Sequence, residues 1–319
     1  MRPFTFLVAT TFCLLPMLAE AAGFRLVEVP ADAAGPSLTV AMWSPCAEPP
    51  GPIAVSRMVV PGVKDCPIKG SKLPLVVISH GRGSNFLSQH DTAAALADSG
   101  FVVAALNHPG DTVLDPGRST ETSIFVSRPT DIRRLIDFMV AGSVAASEID
   151  RDRIGFFGFS RGGYTGLLVA GATFDWAAAV ENCQGVSPPV CEQIRRKEFP
   201  APAPMRDVRI KAAVIADPPT LVFSSGSYAD VKIPIQLWAS ERGGDGVLPQ
   251  YVAELDKDLP APHEYRVVAN SGHFAFRAPC PPELAAVAPE ICVDPPGFDR
   301  VAFHKELNAA MLAFFRKHL

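Results

Sequence analysis

The chain has 319 residues, 48% of them hydrophobic and 19% charged, with a formal net charge of −4. This is enough apolar material for one large core, and it excludes a disordered chain. The balance of charge also lacks the basic surplus of a nucleic-acid-binding protein.

The first residues have the pattern of an export signal. Arg2 is followed by the almost wholly apolar run Phe4 to Leu18, and Ala19-Glu20-Ala21 has the small-x-small form of a cleavage site. The run is too short to span a bilayer, and no other segment is long and apolar enough to do so. Residues 1–21 are therefore expected to be a cleaved leader, and 22–319 a single exported domain, periplasmic or extracellular. Cys13 falls in the leader. The other six cysteines form three local couples around Pro- or Gly-rich loops, and the expected bridges are Cys46–Cys66, Cys183–Cys191 and Cys280–Cys292. No CxxC or HxxxH spacing supports a zinc site.

Segments of strand and helix character then alternate, the signature of a mostly parallel sheet with helices on both faces. Leading strands are expected over 38–43 and 53–60, possibly antiparallel, and a buried strand over 73–79. A helix over 89–98 stops at Gly100, followed by a strand over 101–106. Helical spacing recurs over 130–140, a strand covers 153–157, and a small-residue helix covers 162–171. The alternation is lost between about 173 and 207, a stretch with five prolines and one cysteine couple, read as a lid-like insertion. Strands over 210–216, 233–239 and 264–268 follow, with helices over 249–259 and 298–318.

Chemistry concentrates at four places. Gly158-Phe159-Ser160-Arg161-Gly162 matches G-x-S-x-G between an expected strand and an expected helix. A sharp turn there holds the serine in a strained conformation at a helix N-terminus, so its neighbours must be small. Ser160 is thus the candidate nucleophile. Ser79-His80-Gly81-Arg82-Gly83 follows a buried strand and can aim backbone N–H groups at a carbonyl oxygen, so the candidate oxyanion hole is the N–H groups of Arg82 and Arg161. His80 is read as orienting that loop. His273, in Asn270-Ser271-Gly272-His273-Phe274, is late in the chain, follows a strand, and is the candidate base. For the acid, Asp245 is preferred because it follows the strand over 233–239. Asp217, at the end of the preceding strand, competes with it, and Glu241 is third. Phe86, Phe159, Trp176, Phe223 and Phe274 are candidates for an acyl pocket.

At His80-Gly81-Arg82-Gly83, Asn107-His108-Pro109-Gly110-Asp111, Gly158 to Gly163 and Gly272-His273-Phe274 the chain resembles a bacterial group of predicted dienelactone hydrolases. That group is close to the secreted platelet-activating factor acetylhydrolases. The resemblance implies an α/β-hydrolase fold, a serine triad, no cofactor, and short-chain or acetyl ester substrates. True dienelactone hydrolases carry cysteine where Ser160 stands, and the acetylhydrolases place their acid where Asp217 lies. The reading is a serine ester hydrolase acting on a small molecule. An amidase or peptidase on the same scaffold, and a non-catalytic binding protein, are the alternatives.

Overall fold

Hydrophobic alternation along the strands sets the architecture. In the computed structural model, residues 21–56, 58–185, 189–201, 203–260 and 262–319 are described. The expected leader therefore lies, apart from Ala21, outside the described residues. The elements in chain order are β1 (Ala21–Val29), β2 (Leu38–Cys46), β3 (Gly51–Val55), β4 (Met58–Lys64), β5 (Leu73–Ser79), α1 (His90–Asp98), β6 (Val102–Leu106), α2 (Ile124–Ala141), β7 (Ile149–Phe159) and α3 (Arg161–Ala170). They continue with α4 (Trp176–Asn182), α5 (Pro189–Arg195), β8 (Ile210–Ala216), β9 (Ile235–Ser240), α6 (Pro249–Asp258), β10 (His263–Val268), α7 (Pro282–Val287), α8 (Pro289–Cys292) and α9 (Arg300–His318).

The strands form one sheet in the order β10-β9-β8-β7-β5-β6-β2-β1-β4-β3. The six strands from β5 to β10 run parallel, and β2 joins them antiparallel through β6. Along β5, Leu75 and Val77 enter one core layer while Val76 and Ile78 enter the other, and β6, β7 and β8 alternate in the same way. Residues from α2, α3 and α6 complete the first layer, and residues from α1 and α9 the second. Strands buried on both faces favour apolar residues at successive positions, which is why 73–79 stood out as a buried run. Among the described residues no helix is long and apolar enough to cross a membrane.

All three expected disulfides are formed, with Cα–Cα separations of 6.1, 5.3 and 5.7 Å for Cys46–Cys66, Cys183–Cys191 and Cys280–Cys292. Four departures from expectation bear on the architecture, besides the short helices α7 and α8 and an earlier start of β7. The strand expected over 53–60 is the hairpin β3–β4, because the chain reverses at Ser56, which has φ 56°. A first strand, β1, pairs antiparallel with β2 along its whole length. Helix α2 begins six residues before Thr130 and runs through Pro129. Pro129 offers no N–H to the Phe125 carbonyl, a loss of about 3 kcal/mol in a helix interior, but Ile124, Phe125 and Arg128 are buried on the preceding turn and carry the helix through it.

The fourth departure is the insertion over 173–207. It carries α4 and α5 and is tied to the start of α2: the Thr122 N–H donates to Gln193 Oε1 at 2.8 Å, and its hydroxyl donates to the Glu198 carbonyl at 2.7 Å. Trp176 stacks on Phe199 and packs against Phe174 and Phe125. The insertion thus closes an aromatic cluster over the α2–α3 layer.

Candidate active site

Ser160, His273, Asp217, Asp245 and the His80–Gly83 loop all follow the C-terminal ends of parallel strands, where the fold exposes groups above a rigid sheet. Ser160 joins β7 directly to α3 at φ 55° and ψ −122°, a backbone conformation that costs a non-glycine residue of order 1–3 kcal/mol. Its N–H donates to the Ala216 carbonyl at 2.8 Å, which locks the turn to the end of β8. The glycines of the motif are steric necessities. A Cβ on Gly158 would lie 2.1 Å from the Gly162 oxygen, and one on Gly162 would lie 1.9 Å from the Ser79 oxygen. Three backbones cross where no side chain fits. Gly162→Ala is therefore expected to lower stability by about 3 kcal/mol or more, read as a shift of the urea midpoint. An unshifted midpoint would mean that the turn has slack.

His273 follows β10 and is buried over Ser160. Its Nε2 lies 3.0 Å from Ser160 Oγ and its Nδ1 lies 2.9 Å from Asp217 Oδ2. Phe159 and Phe274 flank the imidazole at centroid distances of 4.8 and 5.3 Å. The His273 N–H donates to the Gly243 carbonyl at 2.8 Å, which fixes the loop that carries the ring. Asp217 is wholly buried at the end of β8. Its Oδ1 accepts the Ser240 N–H at 2.8 Å, and its Oδ2 also accepts the Ser240 hydroxyl. Ser240 thus orients the acid, and nothing in its sequence context marked it.

Asp245, the preferred acid from sequence, does not reach His273. The loop after β9 passes the imidazole with backbone instead: a Cβ on Gly244 would stand 3.1 Å from His273 Cβ. Gly243 and Gly244 both have positive φ, and the turn they make points the Asp245 carboxylate outward to Arg82, at 2.9 Å from its guanidinium. The acid beside the imidazole is Asp217. Glu241 accepts the Asn270 N–H at 2.6 Å, away from the ring.

The His80–Gly83 loop crosses directly above Ser160; a Cβ on Gly81 would lie 3.3 Å from Ser160 Cβ. Arg161 opens α3, where the first N–H groups of a helix have no intrahelical acceptor. The candidate acyl-pocket residues divide. Phe159 and Phe274 adjoin His273, and Phe86 packs on the same core layer, whereas Trp176 and Phe223 belong to the aromatic cluster of the other layer. A cavity of about 320 Å³ opens beside His273, with Gly244, Phe274, Val293 and Pro295 in its walls. No residue of the insertion lines it.

Beneath the loop lies a buried polar cluster. Burial, reinforced by the Arg128 guanidinium, lowers the His80 imidazole to about 3. The same causes hold His108 well below the ordinary imidazole range. Burial pushes the Asp131 carboxyl up to about 7. Asp131 Oδ2 lies 3.0 Å from His108 Nδ1, and His108 Nε2 lies 2.9 Å from Ser79 Oγ.

These shifts act on stability in opposite directions. Each histidine contributes stability that is complete above about pH 6.5, its unfolded value; the His80 part is lost as pH falls toward 3, and the His108 part is likewise lost at low pH. The Asp131 contribution declines as pH rises from about 4 to 7. Between about pH 4 and 6.5 the two histidines outweigh the one carboxyl, so the unfolded chain binds more protons than the folded chain and stability rises with pH. Asp131→Asn removes the opposing group and should steepen that slope in urea midpoints measured across the window. An unchanged slope would contradict the assignment.

No protein-family model matches the chain, and no curated protein matches it. Among solved structures, the chain is similar to a ferulic acid esterase from Streptomyces cinnamoneus, with a TM-score of 0.66 and 20% identity over 96% of this chain and 92% of that one. It is also similar to a dienelactone hydrolase from Anabaena variabilis, with a TM-score of 0.53 and 15% identity over 93% of this chain and 99% of that one. Sheet order, strand directions and these likenesses agree: the chain has the α/β-hydrolase fold.

Proposed function

We propose that the protein is an exported serine hydrolase that cleaves small carboxylic esters through an acyl-enzyme. The observation that carries this reading is the relay Ser160 Oγ–His273 Nε2–His273 Nδ1–Asp217 Oδ2, at 3.0 and 2.9 Å, with the serine strained at a helix N-terminus. His273 takes the Ser160 proton as the oxygen attacks the ester carbonyl. Asp217 accepts the Nδ1–H, fixes the tautomer and stabilises the imidazolium. The N–H groups of Arg82 and Arg161 receive the oxyanion. The protonated histidine then gives its proton to the departing alcohol, and water, activated by the same imidazole, releases the acid.

The two solved neighbours are named an esterase and a dienelactone hydrolase, which supports ester-type rather than amide substrates. Three disulfides and the apolar leader pattern support export. The test pairs p-nitrophenyl acetate with p-nitroacetanilide, the anilide of the same acid. Turnover of the ester at a kcat/KM at least a hundredfold above that of the anilide is expected. Comparable turnover of both would favour an amidase, and turnover of neither would remove the short-ester reading.

A further inference from the structure

The relay leaves unused a charge cluster directly under the oxyanion loop. Arg128 on α2 and Asp111 after β6 are both 0% exposed and pair through Nε and Oδ2 at 2.8 Å. A buried ion pair is costly unless its remaining donors and acceptors are met, and here they are met by the site itself. Arg128 donates to the His80 carbonyl at 2.8 Å, the Gly81 carbonyl at 3.4 Å and Ser79 Oγ at 3.4 Å. The Gly81 carbonyl also lies 2.6 Å from His80 Nδ1, while His80 Nε2 accepts the His108 N–H at 3.2 Å. These partners require the neutral tautomer with its proton on Nδ1. On the other side, Asp111 accepts from Arg161 Nη1 at 2.9 Å, from the Ser119 hydroxyl at 2.8 Å and from the Gly83 N–H at 3.4 Å. One carboxylate thus holds both segments that carry the oxyanion donors.

Peptide geometry turns this into a directional statement. In a planar trans peptide the C=O and the following N–H point in opposite directions. With the Gly81 carbonyl drawn toward Arg128 and the His80 ring, the Arg82 N–H faces away from them, in a loop that passes close to Ser160 at Gly81. We infer that Arg128 and Asp111 are positioning residues that preset the Gly81–Arg82 peptide and the Arg161 segment, so that both oxyanion donors are aimed before substrate binds. Two guanidinium groups and one carboxylate also leave a net positive charge under the developing oxyanion, in a site with little water to screen it. The inference rests on the Ser160 reading above.

The test uses the full exported chain and three readouts: kcat and KM on p-nitrophenyl acetate, and the inhibition constant of a phenylboronic acid, whose tetrahedral adduct on serine places an oxygen in the oxyanion hole. Arg128→Lys keeps the charge and loses the planar fork. Its kcat should fall about 10- to 100-fold, a part of the loss from deleting an oxyanion donor, with KM within about twofold. The boronic acid should weaken by the same factor as kcat. A kcat within threefold of the parent, or a fall in kcat with unchanged boronic acid affinity, overturns the inference. Should Arg128→Lys fail to fold by circular dichroism, the His80 pair decides. His80→Asn retains an N–H at the Nδ1 position and should keep most of kcat, whereas His80→Ala should lose it; equal values for the two overturn the inference. Ser160→Ala, run alongside, separates the two readings. An inactive Ser160→Ala with an unimpaired Arg128→Lys rejects only the positioning role, and an active Ser160→Ala rejects the nucleophile and with it both readings.

Discussion

Asp217→Asn is expected to lower kcat by about 10⁴-fold, and Asp245→Asn to leave it within a few-fold of the parent. The two carboxylates sit on neighbouring loops but in different physical situations. Asp217 is wholly buried, with Ser240 holding both of its oxygens and one of them 2.9 Å from His273 Nδ1. Asparagine there keeps the size but removes the charge that stabilises the imidazolium, and its amide can hold the ring in the wrong tautomer. Asp245 forms a partly exposed pair with Arg82. Such pairs are worth about 0–1 kcal/mol, which corresponds to a change of no more than about fivefold if the loop above Ser160 loosens. Turnover of p-nitrophenyl acetate by the two purified variants checks this directly. Losses of equal size would mean that neither residue works as the acid, and the reverse order would restore Asp245.

The second large effect is at the nucleophile. Ser160→Ala is expected to cost about 10⁶ in kcat, because a histidine with no hydroxyl to deprotonate leaves only oxyanion binding and substrate alignment. The strained backbone at Ser160 is kept by its neighbours rather than by its hydroxyl: Gly158, Gly162 and the hydrogen bond to Ala216 define the turn. The alanine variant should therefore fold with a urea midpoint close to that of the parent. A variant that stays folded and active would show that another group attacks the ester.

What the sequence disclosed tracks how locally each constraint acts. The turn at Ser160 was legible because its requirement is steric and falls on positions two residues either side. His273 was legible from chain order and from Gly272, and the disulfides from short spacings around loops. The carboxylate that meets His273 was not, because the choice between Asp217 and Asp245 depends on which loop brings backbone against the imidazole. That is decided by Gly243 and Gly244, whose positive φ values turn one carboxylate away. Its position at the end of a strand made Asp217 the competitor, and the resemblance to the secreted acetylhydrolases also pointed to it. Arg128 was hidden for a related reason. It precedes a proline that reads as a helix boundary, and its partners Asp111, His80 and Gly81 reach it only through tertiary packing. The hairpin at Ser56 escaped notice because β-type residues flank it without the usual Asn-Gly or Asp-Gly signal.

The most direct measurement is mass spectrometry of the purified protein after reaction with a fluorophosphonate. One phosphonyl group is predicted, on Ser160, with labelling slowed by at least a thousandfold in His273→Ala. A protein that hydrolyses p-nitrophenyl acetate yet carries the label on another residue, or takes none, would contradict the nucleophile assigned here.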